Sequence, residues 1–440
     1  AKAVCEKPFA VEKDLLLQFT RLTNLIDFGK TAFNLSVRTL VEEEREKELY
    51  KEGVEVKKLC QVADVRIGGT PSRNNHAYFE GNNLWVSIAE MNGTTITDTK
   101  EKLSDEGVHD SNVKLIPKGT TLLSFKLSIG KTAIAGADLY TNEAIAGLIP
   151  KDGSVTNEYL FQLFSSKIIN LENVDYKAFG KSLNSTYLKE QVMIPLPSQI
   201  VQQRIVAACH KIDAEAQKAK DKSAELQEDI NEIVAGIKGK KTKLGTIAQF
   251  KNGLNYKETP VGDTVSIVGV ANFKDNKSPN WDEVKTITIS ENVDDSYLLH
   301  KNDLVTVRSN GSRELVGRFM LIDKEPEERT TFSGFSIRVR IVSDKVDSEF
   351  LYYLLSSANI RQRLTTGSNG ANIKSLNQDL LSNLEIQLPP LSEQKKVVAK
   401  IEAIEDEIAS LKTIYDEAPA RKKAVLHREL IEDDEQAIDD

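Results

Sequence analysis

The chain has 440 residues, 40% of them hydrophobic and 28% charged, with 24 glycines and 12 prolines, the make-up of an ordinary globular protein of two to three domains. No apolar run approaches the roughly 20 residues of a membrane span, and no basic-then-apolar start marks a secretory signal. Cys5, Cys60 and Cys209 are odd in number and far apart, which excludes a disulfide framework or a cysteine metal site and makes a reducing cytoplasm the expected location.

Residues 1–53 read as an N-terminal helical segment, with Leu15, Leu16, Phe19, Leu22, Leu25 and Ile26 on apolar positions. Residues 54–197 form a mixed block with strands expected at 84–88 and 120–125 and a helix at 157–169. Residues 198–240 read as a long helix. Its apolar or small positions, Ile205, Cys209, Ile212, Ala216, Ala219, Ser223, Leu226, Ile230, Ile233 and Ile237, alternate in steps of four and three. Residues 241–391 form a second mixed block, with strands expected at 265–270 and 335–341 and a helix at 348–364. Residues 392–440 give a second long helix and an acidic tail, with Val397, Ile401, Ile404, Ile408, Leu411, Tyr415 and Ala418 on its stripe. Pro419 is expected to kink or end that helix.

The two halves repeat one another. Ile194-Pro195-Leu196-Pro197 runs into Gln202-Gln203-Arg204-Ile205-Val206-Ala207, and Ile386-Gln387-Leu388-Pro389 runs into Gln394-Lys395-Lys396-Val397-Val398-Ala399. Residues 117–123 echo 300–306, and residues 56–59 echo 241–244. The expected fold class is therefore α+β, a pseudo-two-fold internal repeat of mixed block plus helix. Two stripes of equal period want each other as partners.

No catalytic constellation is present. Gly130-Lys131-Thr132 resembles the end of a phosphate-binding loop, but Phe125 stands where that motif needs glycine. The five histidines are scattered, and there is no adenine methyltransferase motif. Net charge is −8, yet residues 54–197 carry 15 basic and 16 acidic groups, residues 241–391 carry 19 of each, and Ile431 to Asp440 hold six acids. The acidity is largely a tail, so it does not exclude DNA, whose phosphates respond to local charge.

Base reading calls for paired donors and acceptors, and register calls for cations at phosphates. Polar turn residues that become candidate DNA contacts under the family resemblance given next are, in the first block, Thr70, Ser72, Arg73, Asn74 and Asn75 on a Gly-Pro turn, Lys126, Ser128 and Lys131 around a second turn, and Lys181 and Asn184 on a third. In the second block they are Asn255 and Lys257, then Arg308, Asn310, Ser312 and Arg313, then Ser368, Asn369, Asn372 and Lys374. Each could equally be a solvated turn residue.

Two sets of residues carry a family resemblance. One is Ile67-Gly68-Gly69-Thr70-Pro71-Ser72-Arg73 with Trp85-Val86-Ser87-Ile88; the other is Leu388-Pro389-Pro390-Leu391-Ser392-Glu393-Gln394 leading into a helix. Over residues 54 to about 430 the chain resembles the DNA-specificity subunit of type I restriction-modification systems. The resemblance implies two target-recognition domains, each reading one half of a split double-stranded DNA site. It also implies two long antiparallel coiled-coil helices that space the domains and dock methyltransferase subunits, through which restriction subunits join. The chain itself would be non-catalytic and bind no metal or cofactor, with S-adenosylmethionine, ATP and Mg on the partner subunits. The first helical copy, Pro197-Ser198-Gln199-Ile200-Val201-Gln202, departs from the full motif. Residues 1–53 exceed the short leader of that family, and residue 1 is Ala. Three readings follow: an upstream fused methyltransferase, which would make this the recognition region of a single-chain enzyme, an extra docking helix, or a plain packing helix. A coiled-coil protein with two peptide- or glycan-binding domains is a further class.

Overall fold

Strand pairing divides the chain in a way that its sequence repeat foreshadows. The computed structural model describes residues 50–169, 171, 183–274, 276–290, 292–309, 314–365 and 375–431. The chain splits into two compact units: unit 1 comprises Ala1–Ala214 with Glu417–Asp440, and unit 2 comprises Glu215–Asp416. Residues 1–49 of the expected N-terminal helical segment and most of the acidic tail lie outside the described residues.

In unit 1 the strands are β1 (Glu55–Lys58), β2 (Ala63–Ile67), β3 (Asn83–Val86), β4 (Thr95–Ile96), β5 (Glu101–Leu103), β6 (Thr121–Ser124), β7 (Thr132–Ala135), β8 (Tyr140–Thr141), β9 (Ile145–Pro150) and β10 (Met193–Leu196). They form sheets ordered β2-β9-β6-β7-β4 and β5-β3-β8, and β1 pairs antiparallel with β10. Helices α1 (Asn157–Ser165) and α2 (Ser185–Glu190) follow. Tyr159, Leu160, Leu163 and Phe164 of α1 share a core with Leu123, Leu148 and Ile194.

Unit 2 repeats this plan. Its strands are β11 (Lys240–Lys243), β12 (Ala248–Asn252), β13 (Glu258–Val268), β14 (Lys285–Ile289), β15 (Leu304–Val307), β16 (Phe319–Leu321), β17 (Thr330–Phe332), β18 (Ser336–Ile341) and β19 (Glu385–Leu388). The sheets are β12-β18-β15-β16 and β14-β13-β17, with β11 on β19. Even the parallel pair β3–β8 has its counterpart in β13–β17. The fold is α+β and internally duplicated.

Two long helices, α3 (Gln199–Ala235) and, after the shorter helices of unit 2, Leu391–Leu430, each begin in one unit and continue into the other. Within unit 1, Arg204 pairs with Glu429, and Asp213 with Lys422 at 2.7 Å, so the two run antiparallel there. Ile205, Cys209, Leu426 and Leu430 lie in the unit 1 core. Within unit 2, Lys220 lies 5.6 Å from the Tyr415 ring centre, and Ile230 and Val234 share a core with Val398 and Ile401. The burial follows the four-three stripe read in the sequence.

Four expectations need correction. Of the two outcomes expected at Pro419, a kink or an end, the end does not occur: the helix runs from Leu391 to Leu430. A mid-helix proline costs about 3 kcal/mol, but burying Leu426 and Leu430 returns roughly 1.5–3 kcal/mol each. Pro419 itself is exposed, so water can meet the freed carbonyl. The 348–364 helix is two, α4 (Ser348–Ser356) and α5 (Ala358–Thr365), because Ser357 is extended (φ −61°, ψ 146°) and its hydroxyl donates to the Leu354 carbonyl at 2.7 Å. The 157–169 helix stops at Ser165, with Lys167 at φ 58° beyond it. The 84–88 strand stops at Val86, where Ser87 N–H and hydroxyl both donate to the Glu90 carboxylate at 2.8 Å and open a short 3-10 turn. After α5 come α6 (Gln378–Ser382) and the helix Leu391–Leu430, labelled α7. No described helix is long and apolar enough to cross a membrane.

Candidate nucleic-acid interface

Both units build the same turn from different residues. In unit 1 the chain leaves β2 at Gly68, where a Cβ would overlap the Thr141 carbonyl oxygen. That close approach lets Gly68 N–H reach the Ile145 carbonyl at 3.1 Å and Gly69 N–H reach Thr141 at 2.9 Å. In unit 2 the chain leaves β12 at Gly253, where a Cβ would overlap the Ser333 carbonyl oxygen. Glycine is required at both by the neighbouring backbone rather than by φ.

The unit 1 turn gathers several expected contacts around a residue that sequence reasoning missed, Glu143. The Thr70 hydroxyl donates to its carboxylate, and this bond, helped by the nearby Lys126 and Arg73 charges, holds the Glu143 carboxyl below its usual range. Arg73 grips Glu101 with both terminal nitrogens, one at 2.9 Å, and stacks 4.3 Å from the Phe79 ring centre and 5.2 Å from that of Trp85. The Arg73 hydrogen bond likewise depresses the Glu101 carboxyl. Arg73 is thus exposed yet already paired. Ser72 and Asn74 are exposed, while the Asn75 side chain accepts from Ala77 N–H at 3.2 Å and caps a 3-10 turn.

Lys126, Ser128 and Lys131 lie on the β6–β7 turn. Ser124 organises it: its hydroxyl donates to the Ser128 carbonyl and accepts from Lys131 N–H at 2.9 Å. Leu127, at φ 63° and 76% exposed, stands at the tip. Asn184 has a local role, accepting from Tyr187 N–H at 2.6 Å as the N-cap of α2. Its counterpart Asn377 accepts from Leu380 N–H at 2.7 Å at the start of α6. A cap duplicated in both units belongs to the helix.

In unit 2, Asn255 and Lys257 are exposed just past the Gly253 turn. Arg308 follows β15; its N–H donates to the Phe335 carbonyl at 2.7 Å, and its Nε is buried without a hydrogen-bond partner among the described residues. Lys181, Asn310, Ser312, Arg313, Ser368, Asn369, Asn372 and Lys374 lie outside the described residues. Phe335, 60% exposed beside Arg308, was not anticipated, because its strand pattern reads as core. Arg338 and Arg340 are anchored inside: Arg338 donates to the Ser296 carbonyl at 2.9 Å, and Arg340 pairs twice with the buried Asp303. No cluster of metal-ligating side chains occurs among the described residues.

The family model for the type I restriction modification DNA specificity domain matches the chain twice, over residues 51–228 and 231–420. The chain belongs to this family. Among curated members, the MjaIX specificity subunit of Methanocaldococcus jannaschii is 33% identical over 164 residues, covering 36% of this chain and 38% of that one. The StySPI specificity subunit of Salmonella potsdam is 32% identical over 168 residues, 37% of this chain and 35% of that one. The chain thus spans less than two fifths of the length of these two relatives. A chain solved in work on complex assembly and conformational transition of the type I R-M system is 18% identical, with a TM-score of 0.56 over 86% of this chain and 98% of that one, a likeness of fold. The specificity-domain family accounts for the duplication, since its model fits each repeat separately.

Proposed function

We propose that this chain is a non-catalytic DNA-specificity subunit in which each unit reads one half of a bipartite double-stranded target. The supporting observation is the duplicated glycine turn, with polar and cationic side chains at it in both units: Thr70, Arg73 and Lys126 in one, Asn255 and Arg308 in the other. Near-neutral blocks bind DNA when cations gather on one face, with phosphate contacts setting register and side chains at base edges setting sequence. The long antiparallel helices fix the spacing between half-sites and dock methyltransferase subunits, with restriction subunits joining through those. S-adenosylmethionine, ATP and Mg belong to these partners.

The test is exchange of residues 241–391 for the corresponding block of a relative, followed by mapping of methylated bases in cells that supply the methyltransferase partner. One half of the methylated motif changes and the other half stays. A change in both halves, or in neither, refutes the assignment.

A further inference from the structure

The two units differ sharply at one corresponding place. In unit 2 the central strand β18 lies between β12 and β15. Asn252 stands opposite Ile337 in the β12–β18 ladder, and Arg308 continues the β15–β18 ladder opposite Phe335, with its N–H on the Phe335 carbonyl. Asn252 ends β12, Phe335 precedes β18 and Arg308 follows β15, so the three stand in a row of strand ends at the same edge of three adjacent strands.

Unit 1 has the same backbone but a different row. Phe125 N–H donates to the Ala144 carbonyl at 3.0 Å and Leu183 N–H to the Phe125 carbonyl at 2.9 Å, as Arg308 N–H donates to Phe335 and Leu376 N–H to Arg308 at 2.7 and 2.8 Å. Ile67 takes the place of Asn252, since it stands opposite Ala146, two residues past Ala144. There the row is Ile67, Ala144 and Phe125, and Phe125 and Ala144 are both buried. Packing closes it. In unit 2 the phenyl ring is instead held out on a firmly bonded backbone, where Gly334 N–H donates to the Leu254 carbonyl at 2.7 Å and Ser336 N–H to Ser333 at 2.9 Å. Beside it, Asn252 Oδ1 and Arg308 Nε are buried without hydrogen-bond partners among the described residues. Two buried polar atoms without partners among the described residues are costly to a fold that uses them for nothing, and they stand beside the exposed ring. Among the described residues neither Asn252 Oδ1 nor Arg308 Nε has a hydrogen-bond partner, so rotation toward a polar ligand edge completes bonds left open there.

We propose that this row is a base-reading site of unit 2. Phe335 rests against a thymine methyl, and Arg308 and Asn252 turn their polar ends to the purine edges on either side. The chemistry matches major-groove recognition, in which Phe packs on the thymine methyl, Arg reads guanine and Asn reads adenine. The inference deepens the DNA-reading function proposed above and rests on it. It also makes the two units chemically unlike readers: unit 1 presents the Glu143 carboxylate at its turn, whereas unit 2 has Gly334 and Phe335 at the corresponding place.

The test is selection by the full chain from a pool of randomised duplexes, comparing the parent with Phe335→Ala, Phe335→Leu, Arg308→Ala and Asn252→Ala. Phe335→Ala loses preference for thymine at one position of one half-site by about 5- to 150-fold and leaves the other half-site untouched. Phe335→Leu, which keeps an apolar tip, retains most of that preference. Arg308→Ala and Asn252→Ala relax the adjacent positions. The exposed ring makes Phe335→Ala a variant that folds, and an unchanged melting curve verifies it. If Phe335→Ala selects the parent sequence unchanged, or weakens all duplexes alike, the row reads no base and the proposal falls, while DNA reading by the chain stands. A parent chain that selects no sequence at all overturns the broader function, and this proposal with it.

Discussion

Gln202 and Gln394 hold the same place in the two repeats, yet replacing them will not cost the same. Gln394 is fully buried and makes three bonds: Nε2 donates to the Lys345 and Pro389 carbonyls, both at 2.8 Å, and Oε1 accepts from Asp347 N–H at 2.9 Å. This ties the start of α7 to the loop that opens α4. Gln202 makes two, to the carbonyls of Ser154 at 2.8 Å and Pro197 at 3.1 Å, and its Oε1 is buried without a partner among the described residues. Each backbone group stripped of its partner costs about 1–3 kcal/mol where water cannot reach it. Gln394→Leu, which strands three groups and regains some apolar burial, costs unit 2 about 3–5 kcal/mol. Gln202→Leu strands two and removes an unsatisfied oxygen, so it costs unit 1 about 1–3 kcal/mol. For a unit of about 200 residues, each kcal/mol shifts Tm by roughly 2–4 °C. The drops are then on the order of 10 °C and 5 °C. The two tryptophans allow separate readings, because Trp85 lies in unit 1 and Trp281 in unit 2. Thermal and urea unfolding of single-tryptophan versions measure each unit by fluorescence. Equal losses, or a larger loss for Gln202→Leu, refute the hydrogen-bond reasoning.

Inserting seven residues after Ala214 and seven after Asp416 keeps both helical stripes in phase and lengthens the pair by about 10 Å; methylation mapping then finds a spacer longer by up to about three base pairs, at roughly 3.4 Å per pair, and an active variant with an unchanged spacer refutes the ruler. Burial, with Asp213 adding to it and Lys422 opposing it, pushes the Cys209 thiol up to about 11. A maleimide at pH 8 therefore leaves Cys209 unmodified in the native chain; because the folded form holds its proton longer, this thiol's contribution to stability fades as pH climbs from about 9 toward 11, and native labelling at pH 8 contradicts the packing. Arg73→Ala lowers DNA affinity while costing unit 1 under about 1 kcal/mol, as exposed ion pairs do. Because Arg73 depresses the Glu101 carboxyl, that small cost is present above the ordinary carboxylate range and vanishes as pH falls through the Glu101 pKa in the folded chain; unaltered affinity removes Arg73 from the interface.

Periodicity and repetition carried the architecture into the sequence. The four-three stripes from Ile205 onward and from Val397 onward mark helices that bury one side, because 3.6 residues per turn allows no other regular burial. The duplicated Pro and Gln positions mark where each strand hands over to its helix, and the observed pairs β1–β10 and β11–β19 sit at those points. The turn at Gly68 is legible from its Gly-Pro composition, whereas the carbonyl that leaves no room for a Cβ at Gly68, and likewise at Gly253, is placed by the fold. What the linear order hides is partnership across distance. Arg73 looks free until Glu101, Phe79 and Trp85 fold around it, and Asn184 looks like a loop donor until it caps α2. Pro419 looks like a helix end until burial of Leu426 and Leu430 outweighs its missing hydrogen bond. Phe125 and Phe335 are both phenylalanines beside strands, yet one is sealed in a core and the other stands in the open. Local propensity sets which elements form; which side chains remain available to a ligand is decided by the strands and helices that tertiary packing brings against them.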